Sequence, residues 1–121
     1  MYKILPRSNG PVLGVEISGK LDITQENELT DKAESLIAEH DKISILVVLG
    51  DQVSVSFEAA ASDIKWMLTH MHRLRKVAIV ADSKFLQALV SVDAFFAKAV
   101  DIEEMHYSTD EIETAWHWIE S

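Results

Sequence analysis

The sequence predicts a mixed α/β fold, in which a mostly parallel sheet follows an N-terminal antiparallel hairpin and about four helices pack on the sheet. Short runs of β-forming residues alternate with stretches in which apolar residues recur every three or four positions. Two of the runs, Ile43 to Leu49 and Val77 to Ala81, are almost wholly apolar, which is typical of parallel strands covered on both faces. The turn signal from Ser8 to Pro11 separates an earlier pair of runs and indicates a hairpin.

The first half of the chain provides the hairpin, one helix and the central strand. Residues 2 to 5 are expected to pair with Val12 to Ile17, and the segment from Gly19 closes the second strand. Behind a cap at Asp22 or Thr24, the apolar spacing predicts a helix of about four turns. The apolar run from Ile43 to Leu49 then predicts a central strand.

The second half predicts two helix and strand repeats. A helix starts at Ser56 and turns an apolar stripe inward. The strand from Val77 to Ala81 is followed by a cap at Asp82 and Ser83 and by a helix that extends to about Ala99. A more polar strand from Ile102 to Tyr107 suits the edge of a sheet. The stripe of the helix after Ser56 consists of Phe57, Ala61, Ile64, Leu68 and Met71.

A last helix closes the chain. Ser108 and Glu111 have the spacing of a capping box, and the apolar residues that follow mark one inner face. With right-handed crossovers between its strands, the order β-β-α-β-α-β-α-β-α predicts one sheet in a single domain spanning residues 1–121. The inner face of the last helix consists of Ile112, Ala115, Trp116 and Ile119.

Composition excludes several classes of function. The 121 residues are 48% hydrophobic, enough for one core, and the lack of cysteine rules out disulfides and thiolate chemistry. A net charge of -9 argues against nucleic acid as a partner. The N-terminal residues lack an export pattern, and the apolar segment from Phe85 to Val100 is shorter than the roughly 20 residues that cross a bilayer. We therefore expect a cytoplasmic protein, with peripheral contact to a membrane left open.

Several segments in this order resemble the SpoIIAA-like family, which belongs to the STAS (sulfate transporter and anti-sigma-factor antagonist) group of folds. They are Val12 to Leu21 (VLGVEISGKL), Arg75 to Asp82 (RKVAIVAD), Ser83 to Leu89 (SKFLQAL) and Ala115 to Ile119. The resemblance implies a STAS-like fold. It also implies two kinds of function: SpoIIAA-like proteins are similar to CRAL-TRIO lipid carriers, and antagonist STAS domains bind a kinase that phosphorylates a serine.

The predicted helix after Ser83 is more apolar than one inward stripe requires. Twelve of the sixteen residues from Phe85 to Val100 are apolar, and Leu86, Val90 and Ala97 fall on a flank of the helix. A neighbouring helix or the second subunit of a homodimer would cover that flank in a purely structural interpretation. In a functional interpretation, the flank lines an apolar ligand cleft or rests on a membrane surface.

Our leading hypothesis is a non-enzymatic domain that binds an apolar small molecule or lipid between the helices predicted after Ser56 and after Ser83. A basic cluster suits either lipid headgroups or a solvated helix end, and it consists of Arg73, Arg75 and Lys76 with His70 and His72. Trp66 lies off the inner stripe of its helix, so it either marks a contact or covers a neighbouring side chain. The predicted ligand-binding residues are Phe57, Trp66, Leu86, Leu89, Val90 and Phe95.

The alternative hypothesis is a protein-interaction module that is switched by phosphorylation. Ser54 and Ser56 lie in the loop where the resemblance to antagonists implies the modified serine. Antagonists usually have an Asp-Ser pair there, whereas Asp51 is followed by Gln52 in this chain. Ser56 is equally suited to cap the helix that follows.

The sequence gives no indication of an enzyme, a metal or a cofactor. His70 and His72 are two positions apart on a predicted helix, so they point away from each other and cannot share a metal as an i, i+4 pair can. The four glycines form neither a dinucleotide-binding motif nor a phosphate-binding loop. A nucleophile elbow is absent too.

Overall fold

A five-stranded sheet and two α-helices form the fold of the residues that the structure, a computed structural model, describes: 2–50, 54–55, 62, 65–66, 69–82 and 103–121. The strands are β1 (Tyr2–Ile4), β2 (Val12–Ile17), β3 (Lys20–Leu21), β4 (Ile43–Leu49), β5 (Ser54–Val55), β6 (Leu74–Val80) and β7 (Glu103–Tyr107). The helices are α1 (Ile23–His40) and α2 (Ile112–Glu120), with short 3-10 turns at Met71–Arg73 and Thr109–Glu111.

The strand order confirms the predicted topology. The main sheet has the order β1-β2-β4-β6-β7, with β1 antiparallel to β2 and every other neighbouring pair parallel. The predicted central run is the middle strand, β4, and the polar strand β7 lies at one edge. A second, two-stranded parallel sheet of β3 and β5 was not predicted.

Both described helices begin where their capping residues predict. The side chain of Asp22 accepts a hydrogen bond from the backbone N–H of Gln25, whose own side chain accepts one from the Asp22 backbone N–H. Ser108 and Glu111 form the second capping box, although one 3-10 turn precedes α2. Helix α1 has 18 residues, about one turn more than the sequence predicts.

The expectation of about four helices is met in part. The described residues contain two complete α-helices, and the helix predicted from Ser83 to Ala99 lies outside them. Helical backbone also occurs at Ser62, Lys65, Trp66, Thr69 and His70, which we call the Trp66 segment. A 3-10 turn at Met71–Arg73 leads directly into β6, which begins at Leu74, three residues before the predicted strand.

Two apolar cores lie on opposite faces of the sheet, because alternate residues of a strand point to opposite sides. On one face, α1 packs through Ala33 against β2, β4 and β6. On the other face, α2 packs against β4, β6 and β7. The two faces are called the α1 face and the α2 face below.

Candidate functional site

The α1 face is covered unevenly. Three residues of β2 on this face, Leu13, Val15 and Ile17, are buried. Their cross-strand neighbours on β4 are Ile45, Val47 and Leu49, and all three remain partly exposed. Strand β4 is flanked by β2 and β6, so its exposure comes from the helical side of the sheet and not from an open edge.

The exposed region continues onto the next strand. Ile79 of β6 lies beside Val47 and is also partly exposed, whereas Val77, two residues earlier on the same face, is buried. The partly exposed residues are therefore displaced toward the carboxyl ends of the parallel strands. We call Ile45, Val47, Leu49 and Ile79 the apolar strip.

The α2 face is packed much more tightly at its centre. Leu46, Ala78 and Val80 have 0% exposure beneath the C-terminal helix. Trp116 of that helix fills the space above Gly14, where a Cβ atom would overlap the indole ring. Some apolar surface remains at Val48. This face therefore has a closed centre and offers little room for a ligand.

Trp66 stands beside the core of the α1 face and is the one predicted ligand-binding residue whose side chain the structure describes. It is half-buried and packs against the apolar core under α1. Its indole N–H donates a 3.2 Å hydrogen bond to Glu34 of α1, and its ring stacks on His70 at 4.5 Å between ring centroids. The hydrogen bond to Glu34 satisfies the polar N–H of the indole, as is usual for a tryptophan at the border between core and solvent.

The other predicted lining residues lie outside the described part of the chain: Phe57, Leu86, Leu89, Val90 and Phe95. They remain predictions. Sequence reasoning missed the apolar strip itself, because a nearly continuous apolar run predicts coverage on both sides of the sheet. No signal in the run from Ile43 to Leu49 separates its better covered positions from its more exposed ones.

One of the two candidate phosphorylation sites lies in a described strand. The backbone of Ser54 pairs with Lys20, and that of Val55 pairs with Leu21, in the small sheet of β3 and β5. This pairing holds the loop after β4 beside the connection between β2 and α1. Ser56 lies outside the described residues, and whether either serine is modified stays a prediction.

The basic cluster is largely engaged within the chain. Arg73 forms an ion pair with Asp41 at the end of α1. Lys76 donates to the Trp118 carbonyl oxygen at 3.0 Å and to the Ser121 hydroxyl at 2.7 Å, and its ammonium lies 5.2 Å from the Trp118 ring centroid. His72 and Arg75 are exposed. The cluster therefore serves mainly to hold helix ends, which favours its structural interpretation.

A second cation holds the C-terminal helix to the hairpin loop. Arg7 donates to Glu113 and to Glu120 at 2.9 Å each, and its guanidinium carbon lies 5.1 Å from the Trp116 ring centroid. The hydrogen bond from Arg7 lowers the pKa of the Glu120 carboxyl below its usual value. These groups are on the surface, so they orient α2 and do not form a buried site.

Two further findings bear on function within the described residues. No group of three or more His, Asp or Glu side chains there is placed to hold a metal ion. None of the helices found there is both long enough and apolar enough to cross a membrane.

The strand order and the two helices define a mixed α/β domain of the STAS-like kind. A model of the SpoIIAA-like family matches residues 12–120, nearly the whole chain, and the chain therefore belongs to that family. The predicted resemblance is confirmed. No curated protein matches the sequence.

A solved structure has the same fold. It is an uncharacterized protein of the DUF3478 family with a SpoIIAA-like fold, from Shewanella loihica PV-4. The two chains are 22% identical and superpose with a TM-score of 0.73 over 98% of this chain and 92% of the other. At this identity the similarity establishes the fold alone.

Proposed function

We propose that this chain is a non-enzymatic binding domain that holds an apolar small molecule or lipid against the apolar strip. One observation carries the proposal. In three alternate cross-strand pairs, all on the α1 face, the β2 side chain is buried and its β4 neighbour is partly exposed, although β4 lies inside the sheet. Ligand pockets are usually concave and lined by apolar side chains, and burying such surface is worth about 25 cal/mol per Å².

The position of the strip supports the same proposal. Leu49 is the last residue of β4 and Ile79 the penultimate residue of β6, so the strip extends to the carboxyl ends of parallel strands. Open α/β sheets commonly bind ligands beyond those ends. We propose Phe57 and Trp66 as one wall of the site and Leu86, Leu89, Val90 and Phe95 as the other.

Two neighbouring strand residues offer a matched test. Val47 and Val48 are adjacent and both partly exposed, but they point to opposite faces of the sheet. Val47→Phe should fill the strip and weaken binding of the fluorescent apolar probe N-phenyl-1-naphthylamine by about tenfold, or ~1.4 kcal/mol. Val48→Phe adds the same side chain to the α2 face and should leave probe affinity within about twofold of that of the unmodified protein.

The binding assay is fluorescence titration, with circular dichroism to confirm that both variants fold. Native mass spectrometry of protein purified without detergent tests for the natural ligand, which should be detected as a co-purifying apolar species. Equal effects of the two substitutions, or no saturable probe binding by the unmodified chain, would remove the proposal. Liposome association at low salt tests the membrane contact that the sequence left open, and sedimentation tests the homodimer alternative.

A second function is favoured by the pairing of β3 with β5. We propose, as the alternative, a protein-interaction module of the antagonist type in which Ser54 or Ser56 is phosphorylated. Because the Ser54 backbone is paired with Lys20, the loop is held beside the connection between β2 and α1, and a phosphate of up to two negative charges would change the charge of that region.

Intact-mass analysis of the protein from its native cells tests this alternative. A mass increase of about 80 Da that disappears in the doubly substituted Ser54→Ala, Ser56→Ala chain supports it, because a phosphate adds that mass to a hydroxyl. Ser62→Ala is the control, since Ser62 lies in the Trp66 segment beyond the loop. An unmodified mass under all growth conditions would exclude phosphorylation at these serines.

A further inference from the structure

The tip of the first hairpin combines an Asn-Gly sequence with a turn that exposes it to solvent. Asn9 and Gly10 are both exposed, and Asn9 pairs with Val12 through two backbone hydrogen bonds of 3.1 Å each. Gly10 has a φ of 57°, and Pro11 follows it. A positive φ at the first central residue, before a proline, is the pattern of a type II′ turn. The tip is therefore a tight turn in contact with water.

The two hydrogen bonds of the tip leave the Gly10 amide unused. They occupy the N–H and the C=O of Asn9, and the Gly10 N–H has no acceptor among the residues that the structure describes. Apart from the chain neighbours, none of those residues comes within 4 Å of a Cβ atom built at Gly10. The Gly10 nitrogen can thus lose its proton without loss of a hydrogen bond, and no side chain of its own hinders its approach to the Asn9 amide.

We propose that Asn9 is a site of spontaneous deamidation and that the product opens the hairpin tip. The deprotonated Gly10 nitrogen attacks Cγ of Asn9, a C–N bond forms, and ammonia leaves with the side-chain nitrogen. Water then adds to one carbonyl of the resulting succinimide and breaks one of the ring C–N bonds. In sum, an amide and water give a carboxylate and ammonium, with no other reactant.

The bond that water breaks determines the effect on the turn. Hydrolysis at Cγ gives aspartate and leaves the main chain unchanged. Hydrolysis at the main-chain carbonyl gives isoaspartate, in which the chain runs through Cβ and Cγ and is longer by one atom. The oxygen that accepts from Val12 then belongs to a carboxylate outside the main chain, so the turn loses its closing geometry. Either product adds one negative charge to a chain whose net charge is -9.

The residues around the tip connect the hairpin to α2. The N–H of Gly14 donates to Oγ of Ser8 at 2.9 Å, and the carbonyl of Gly14 accepts from the N–H of Leu5 at 2.8 Å. Arg7, two residues before Asn9, forms the ion pairs that hold α2. Isoaspartate at this position should therefore loosen both the hairpin and the attachment of α2.

Asn27 is a matched control within the same chain, and the sequence contains no other asparagine. It is exposed, like Asn9, but lies inside α1, where the N–H of Glu28 belongs to the helical hydrogen-bond ladder. The Glu28 side chain also hinders the approach of its nitrogen to the Asn27 amide. Trypsin separates the two sites, because it cleaves after lysine and arginine and yields peptides of residues 8–20 and 21–32.

Peptide mass spectrometry of the folded chain, incubated at about pH 8, tests the site. The 8–20 peptide should gain about 1 Da, as an amide becomes an acid, at least about tenfold faster than the 21–32 peptide. An isoaspartyl methyltransferase should methylate part of the product. In concentrated urea the 21–32 peptide should react faster, because the helix no longer holds the Glu28 N–H. An unchanged 8–20 peptide, or equal rates for both peptides in the folded chain, would overturn the proposal.

Thermal melting tests the opening of the tip. The isoaspartate-containing fraction, separated by anion exchange through its added charge, should melt about 1–4 °C below the fresh chain. Fresh Asn9→Asp carries the same charge without the longer main chain and should not share this loss. Asn9→Gln keeps the amide but closes a ring far more slowly, so its aged and fresh forms should melt alike. Isoaspartate at position 9 without any fall in melting temperature would overturn the opening of the tip.

Discussion

The two faces of the sheet differ in how completely their central strands are covered. On the α2 face, Leu46, Ala78 and Val80 are fully buried beneath a nine-residue helix. On the α1 face, an 18-residue helix buries β2 and leaves parts of β4 and β6 exposed. The longer helix therefore gives the less complete cover.

The reason is the position of each helix over the strands. Helix α2 presents Trp116, whose ring occupies the space that Gly14 leaves open, and Arg7 fixes the helix from outside. The α1 face has no equivalent contact over Val47 among the described residues. The α2 face is therefore the closed face of the sheet, and the α1 face is the one on which the proposed binding function rests.

The largest difference should come from two leucines of one strand. Leu46→Ala removes a side chain with 0% exposure from the α2 face and should lower the free energy of unfolding by about 2–5 kcal/mol. Leu49→Ala acts on the partly exposed α1 face and should cost only about 1–2 kcal/mol, because less surface is removed from a packed site. Urea denaturation measures both values. A larger loss for Leu49→Ala would reverse the assignment of the two faces.

A smaller effect should follow from adding one methyl group. In Gly14→Ala, the new Cβ overlaps the Trp116 ring, so the indole must move, at a cost of about 1–3 kcal/mol in unfolding free energy. Gly50→Ala is the control, because a Cβ there meets neighbours only at ordinary contact distance, from 3.4 Å. Thermal melting compares them. If Gly14→Ala were as stable as Gly50→Ala, the α2 face would not be closed at this point.

Much of the topology was accessible from the sequence because it depends on local signals. Apolar runs identified the parallel strands, and the caps at Asp22 and Ser108 identified two helix starts. The small sheet at Lys20 and Ser54 was missed because two-residue strands leave no periodic pattern. Their pairing depends on where the larger sheet brings the two loops.

The apolar strip shows a different limit. Val47 and Val48 look alike in sequence, since both belong to one nearly continuous apolar run, and their coverage is determined by helices that lie far away along the chain. Trp66 was singled out as a candidate contact residue, but its bond to Glu34 could not be inferred from spacing. Long-range packing decides both features.

The smallest expected effect concerns the link that holds α2 in place. Arg7→Met keeps much of the side chain over Trp116 but removes the bonds to Glu113 and Glu120. Because the pKa of Glu120 is lowered in the folded chain, this link stabilises the protein above the usual glutamate pKa and is lost as pH falls. Melting of Arg7→Met should therefore approach that of the unmodified chain as pH is lowered from about 7 to about 3.

The control for this prediction is Arg75→Met, because Arg75 is exposed and its substitution removes the same charge. Its melting difference from the unmodified chain should not shrink selectively in acid. NMR titration of the Glu120 carboxyl provides a direct check, since its pKa should rise in Arg7→Met. An unchanged pKa would show that Arg7 does not hold α2 through this carboxylate.

The most direct test of the central claim is to locate a bound apolar probe by NMR. With methyl-labelled protein and N-phenyl-1-naphthylamine, intermolecular NOEs should reach the methyl groups of Ile45, Val47, Leu49 and Ile79. The methyl groups of Leu46 and Val80, on the α2 face, should show none. NOEs confined to the α2 face, or a saturating probe without contacts to the strip, would contradict the account.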